Sequence, residues 1–217
     1  MNGKKSAELH KNVPPDWYFS SIRSNPFQWL WHTVRFREVS RSIEKVDGKV
    51  LDVGSADGVF TKIIRDESGA KEIIGLDVLK SSVDWANKHW KSEKNMSFIV
   101  GVSEDLPFRA RSFDAVFALE VMEHVIDTSK TIEEIYRVTK KNGYAVFLVP
   151  TDSLLFQIIW FIVRKFAWAK IWEDCHLQSF NGKNKLSKHV KKVGFKVEED
   201  RTFWLGMLNL VKARKIK

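Results

Sequence analysis

The chain has 217 residues, 44% of them hydrophobic, and 36 Lys and Arg against 27 Asp and Glu, for a formal net charge of +9. That length and apolar content suit one domain with a sizeable core, and no internal repeat or low-complexity tract is visible. The single cysteine, Cys175, excludes an intramolecular disulfide, and the opening MNGKKSAELHKN lacks the apolar stretch of a secretion signal, so a reducing, cytoplasmic setting is expected. The basic excess leaves three partners open: nucleic acid, an anionic membrane surface, or water alone.

In chain order, residues 1–24 read as a polar, mobile lead containing Pro14-Pro15. Asn25-Pro26 is a helix start, a capping side chain followed by proline in the first turn, and the helix is expected to run to Glu44. Val50-Leu51-Asp52-Val53 is a short apolar run, followed by the turn Gly54-Ser55-Ala56-Asp57-Gly58. A helical pattern follows, with Val59, Phe60, Ile63 and Ile64 on one face. Ile73-Ile74-Gly75-Leu76 is a second apolar run, closed by Asp77. Strand, glycine turn, helix and strand ending on a carboxylate suit a nucleotide-like ligand at the carboxyl edge of a parallel sheet. Gly54 permits the tight turn and bare backbone against a ligand, and Gly58 permits close helix packing. The open N–H groups of the helix start face the ligand. Asp77 stands 25 residues after Asp52, close to the ~20-residue spacing of a ribose-binding acid.

Further along, a helix is expected over 81–90, a strand over 96–100, a loop over 101–108 and a strand over 112–118. Leu119-Glu120-Val121-Met122-Glu123-His124-Val125 then lies at a strand end. A helix over 131–139 stops at Lys141-Asn142-Gly143, and a strand over 144–149 closes at Pro150. Residues 154–172 are apolar in their first half and mix Lys, Arg and Trp in their second. The apolar part is shorter than the ~20 residues a membrane span needs. Its composition suits a helix in a membrane interface or a buried lid packed on Phe27, Trp29 and Trp31. A helix over 186–193 and strands over 195–197 and 208–213 complete the chain.

The turn does not read G-x-G-x-x-G, and an acid two residues before it repels pyrophosphate but suits a cationic amino-acid tail. V-L-D-V-G-x-x-x-G resembles the first motif of class I S-adenosylmethionine (SAM) methyltransferases. R-V-T-K-K-N-G-Y-A-V-F resembles their late motif, with Asn142 where proline or glycine is commoner. The resemblance implies an α/β, Rossmann-like sheet of seven strands, mostly parallel, with helices on both faces and the last strand antiparallel. It implies a helical cap over residues 1–46 and a SAM-binding domain over 47–217 with a lid insertion at 151–180. It assigns the cofactor to Asp52, Gly54, Ser55, Ala56, Gly58, Asp77, Val78, Ser103, Glu104 and Leu119. Where the family often has an adenine-binding acid this chain has Val102, so backbone N–H groups near Ser103, or Glu104 itself, must serve.

Glu120-Val121-Met122-Glu123-His124-Val125 is similar to the E-x-x-E-H-V stretch of ubiquinone-biosynthesis O-methyltransferases. The resemblance implies an acceptor near Glu120, Glu123 and His124, which would also hold a magnesium ion, with His124 as a base. The competing reading is that Glu123 and His124 cap the next helix. Asn25-Pro26-Phe27-Gln28 resembles an N-P-L-R element whose arginine holds the SAM carboxylate; Gln28 replaces it, leaving Gln28, His32 or Arg35 for that contact. Trp172 to His176 stands where that family has a Gly-Thr-His element, so His176 is a second candidate base, or a surface histidine. The expected acceptor is a small or lipid-like hydroxyl compound, with peripheral membrane contact through 154–172. An RNA substrate finds no appended RNA-binding module or Asn-Pro-Pro-Tyr-type motif, and a non-catalytic partner protein would not need the intact Asp52, Gly54, Gly58 and Asp77.

Overall fold

The computed structural model describes residues 7–8, 10–151, 153–163, 180 and 185–217. Seven strands form one sheet. They are β1 (Lys49–Val53), β2 (Glu72–Asp77), β3 (Met96–Val100), β4 (Phe113–Leu119), β5 (Thr139–Pro150), β6 (Lys196–Phe203) and β7 (Leu208–Arg214). Their order is β3-β2-β1-β4-β5-β7-β6. The first five pair in parallel, and β7 runs antiparallel to both β5 and β6. The expected sheet and its antiparallel last strand are therefore present. The order reverses between β1 and β4, which opens a crevice at their carboxyl ends.

The helices are α1 (Trp17–Ser24), α2 (Pro26–Ser40), α3 (Val59–Ser68), α4 (Lys80–His89), α5 (Thr128–Val138), α6 (Leu154–Val163) and α7 (Lys185–Val193). Strand alternation divides the core into two layers. Leu51, Val53, Val116, Ala118 and Phe147 pack with Ile132 and Ile135 of α5 and with Leu186 and Val190 of α7. Val50, Ile73, Ala115, Phe117 and Leu148 pack on the other face with Phe60 and Ile64 of α3 and Val39 of α2.

Four boundaries differ from the sequence reading. Residues 10–24 are not a loose lead: α1 lies within them, and the Phe19 N–H donates to Asp57 Oδ2 at 2.8 Å. Helix α2 ends at Ser40 because the next residues are held elsewhere, Ser42 Oγ by Glu199 at 2.9 Å and the Glu44 N–H by the Tyr144 hydroxyl at 2.9 Å. Helix α5 starts three residues early, at Thr128, because Asp127 caps it by accepting from the Lys130 N–H at 2.9 Å. Strand β5 begins at Thr139, straight out of α5. Asn142 (φ 63°) takes up a left-handed kink opposite a register shift in β4, a conformation asparagine tolerates better than most residues.

Candidate active site

The carboxyl edge of the sheet carries a cleft between the β1–α3 turn, the ends of β2 and β4, and the segment leading into α1. Its empty volume is about 840 Å3, mouth included.

The β1–α3 turn is built by constraint. Gly54 has φ 74°, and a Cβ there would lie 2.3 Å from Val121 Cγ2. Its N–H and that of Ser55 both donate to the Leu76 carbonyl, at 2.7 and 3.1 Å, which binds the turn to the end of β2. Gly58 has φ 80°, and a Cβ there would strike Phe98 Cζ at 2.5 Å. Asp77 closes β2 with both oxygens fixed: Oδ2 accepts from the Ala56 N–H at 2.9 Å and Oδ1 from the Leu79 N–H at 2.8 Å. Burial pushes its pKa up, so the carboxylate has a strong demand for further donors from the cleft.

At the inner end stands Glu120, held at φ 56° just beyond β4, a left-handed conformation that residues other than glycine seldom adopt. It is ion-paired with Arg35, which is only 1% exposed. Arg35 also meets His32 Nδ1 at 3.0 Å, and its guanidinium lies over the Phe60 ring at 5.0 Å. Burial raises the Glu120 pKa and Arg35 opposes the rise. His32 is driven the other way, to about 2, by burial and then by the Arg35 charge. The imidazole is therefore neutral, and Nε2 is buried without a hydrogen-bond partner among the described residues.

The structure brings Gly54, Ala56, Asp77, Val78, Ser103, Glu104, Glu120 and His124 to the cleft wall. Ser103 Oγ donates to Glu104 Oε2 at 3.0 Å, and Glu104 Oε1 accepts from the Ile126 N–H at 3.1 Å. Five expected residues lie away from it. Asp52 faces α3 by strand alternation, buried, with Oδ2 accepting from Thr61 Oγ1 at 2.6 Å. Ser55 is buried under the turn, Leu119 is part of the α3-side core, and Glu123 is buried behind His124. Gly58 packs against Phe98 rather than lining the cleft. Nor are Glu120, Glu123 and His124 gathered as a ligand set: Glu120 is paired with Arg35, and among the described residues no group of three or more His, Cys, Asp or Glu is placed to hold a metal ion. His176 lies outside the described residues.

Sequence reasoning missed the roof. His10, Val13, Pro14, Pro15, Trp17 and Tyr18 line the cleft, and the His10 ring meets that of His124 edge-on at 5.0 Å. The polar run before residue 16 hid this. The signal that could have found it was Trp17-Tyr18-Phe19, too much apolar surface to leave in water. Asp57 was also missed. Its side chain ties α1 to the turn, with Oδ1 accepting from the Val59 N–H at 3.2 Å, and burial pushes its pKa up to about 6.

A seven-stranded sheet of this order, with a cleft between a β1 glycine turn and an acid ending β2, is the arrangement that the resemblance to class I SAM-dependent methyltransferases implies. Residues 51–147 match the family described as "Methyltransferase domain", and with the relatives and the fold this match supports a class I SAM-dependent methyltransferase. It is 24% identical over 205 residues to the ubiquinone biosynthesis O-methyltransferase of Pelagibacter ubique, covering 85% of this chain and 84% of that one. It is 26% identical over 164 residues to a biotin biosynthesis bifunctional protein of Cellvibrio japonicus, covering 74% of this chain but only 31% of the relative's length. In fold it is similar to a protein of Pyrococcus horikoshii, with a TM-score of 0.71 at 19% identity, covering 96% of this chain and 98% of the other.

The cleft fits the family's cofactor. It joins a buried carboxylate with spare acceptor capacity, at Asp77, to the Glu120 carboxylate, which buried Arg35 backs from outside the cleft wall. A nucleoside carrying an amino-acid tail has the complementary groups: a sugar diol, an ammonium and a carboxylate.

Proposed function

We propose that this protein transfers a methyl group from SAM to an oxygen of a small or lipid-like acceptor. The observation that carries the reading is Asp77, whose two oxygens are fixed by N–H groups of the β1–α3 and β2–α4 turns at the wall of a cleft ending on Glu120. Bound SAM supplies a methyl already activated on a sulfonium, so the chain's task is alignment, exclusion of water and management of one proton.

In this reading Asp77 accepts from both ribose hydroxyls. The bare backbone at Gly54 lets the cofactor lie against the turn, and Val78, Ser103 and Glu104 flank the base. Glu120 takes the tail's ammonium and Arg35, in place of Gln28, its carboxylate. His124, on the wall between Glu120 and the roof, removes the acceptor's proton as general base. Residues 1–46 act as a cap and 151–180 as a lid. The acceptor is placed with quinone precursors because the Pelagibacter relative is a ubiquinone biosynthesis O-methyltransferase. Apolar 154–163 next to the basic stretch that follows supports a cytoplasmic enzyme working at a membrane surface.

The test is transfer of labelled methyl from SAM into fractionated lipid, small-molecule and RNA pools. Label in an amphiphilic, base-stable fraction is expected. Label in RNA would overturn the acceptor, and no transfer to any pool would overturn the activity.

A further inference from the structure

Helix α2 packs Trp31, Phe36 and Val39 on the core, but its first two turns are apolar on the outside. Its buried side chains are Gln28, His32, Arg35 and Val39, three of them polar or charged. Its first two turns instead present Phe27, Trp29 and Leu30 to the outside, with Trp29 54% exposed. A surface helix normally turns its apolar stripe to the core. The polar inner face is set by Arg35, which must reach Glu120, but nothing among the described residues asks for an indole on the outside.

A second oddity stands beside it. The β6–β7 turn reads Trp204-Leu205-Gly206, at φ 51°, 55° and 79°. Tight hairpin turns in this conformation favour Asn-Gly or Gly-Gly, because side chains beyond Cβ crowd the left-handed region. Here two bulky apolar residues take it, and Leu205 is 81% exposed. The turn is held firmly: Thr151 Oγ1 donates to the Gly206 carbonyl at 2.5 Å, and the Thr151 N–H to the Met207 carbonyl at 2.9 Å. The Trp204 ring meets Trp31 of α2 edge-on at 5.5 Å. Turn and helix are thus one unit, and Leu208 pairs with Pro150, so the unit projects from the carboxyl edge that carries the cleft.

We infer that Leu205 at the β6–β7 turn, with Phe27, Trp29 and Leu30 of α2, forms a bilayer-anchoring surface separate from 154–172, which seats the mouth of the cleft on an anionic membrane. The anchor rests on the proposed amphiphilic acceptor for its purpose. Charge selects the occupant. At +9 two copies of the chain repel each other, whereas an anionic surface attracts each one. Leucine, phenylalanine and tryptophan are also the side chains that partition into the headgroup boundary. Helix α6 leaves Leu154, Leu155, Ile158 and Phe161 exposed just after Thr151, so the turn lies between two apolar faces.

The full chain is sedimented with phosphatidylcholine vesicles, with and without phosphatidylglycerol. Binding is expected only with the anionic lipid. Leu205→Glu and Trp29→Glu should each lower the partition constant about tenfold, the order expected for one large apolar side chain withdrawn from the lipid. Leu205→Phe should restore it, and melting temperatures should stay unchanged. Wild-type binding by Leu205→Glu and Trp29→Glu, with loss only on Leu154→Glu plus Ile158→Glu, would overturn the inference. So would equal binding to neutral vesicles, or a wild-type dimer that Leu205→Glu dissolves. S-adenosylhomocysteine affinity, measured without vesicles, should match wild type in every variant, which separates failure of the anchor from failure of the proposed chemistry.

Discussion

At the scale of single residues, the chemistry depends on where each carboxylate points. Asp52 and Asp77 both end up buried near the same turn, yet strand alternation sends Asp52 to Thr61 and leaves Asp77 at the cleft. Burial, opposed by the Thr61 hydrogen bond, lifts Asp52 from 3.8 to about 7. Between those values the folded protein binds more protons than the unfolded chain, so stability falls as pH rises through that window and is fully present only below it. Asp52→Asn keeps an acceptor for Thr61 and removes the titration. Denaturant melts from pH 4 to pH 8 should show a flatter profile for the variant, with its gain largest at the alkaline end; parallel profiles would contradict the placement. Arg35 allows a second test. Arg35→Met should weaken S-adenosylhomocysteine binding by ~1.5–3 kcal/mol, the worth of a charge-assisted hydrogen bond, while leaving methylthioadenosine, which lacks the amino-acid tail, bound nearly as before. His124→Ala should cut turnover by ~100-fold or more at unchanged cofactor affinity, the usual worth of a general base; unchanged turnover would remove His124 from that role.

Among the elements, those whose apolar pattern matches their burial were legible from sequence. Strands β1 and β2 and the turn between them lie where Val50 to Val53 and Ile73 to Asp77 foretold, because central parallel strands are apolar on both faces and because Gly54 and Gly58 punctuate the unit. What failed to show was set by contacts distant in sequence. Helix α1 is held by Asp57, and the early end of α2 by Glu199 and Tyr144; no local pattern carries that information. Arg35 was named only as a stand-in for a missing arginine, and its pairing with Glu120 needed the fold to bring residues 35 and 120 together. Two substitutions test the elements. Gly54→Ala adds a Cβ 2.3 Å from Val121 at φ 74°, and should abolish cofactor binding or the fold itself. Lys215 is 4% exposed, and its ammonium donates to the Tyr136 and Thr139 carbonyls at 2.6 and 2.9 Å, where α5 ends. Lys215→Met leaves those carbonyls unpaired and should cost ~1–3 kcal/mol of stability in denaturant melts.

For the whole molecule, one edge of the sheet gathers everything with a chemical purpose. The crevice where strand order reverses, the β1–α3 turn, the roof from His10 to Tyr18 and the exposed β6–β7 turn all lie there. The rest of the fold is a two-layer support that keeps this edge stiff. The account stands on nucleoside recognition by Asp77, and calorimetric titration with S-adenosylhomocysteine tests it most directly. Wild-type protein should take up one equivalent, and Asp77→Ala, with its fold intact by circular dichroism, should take up none in the same concentration range. No uptake by the wild type, or equal uptake by both, would contradict it.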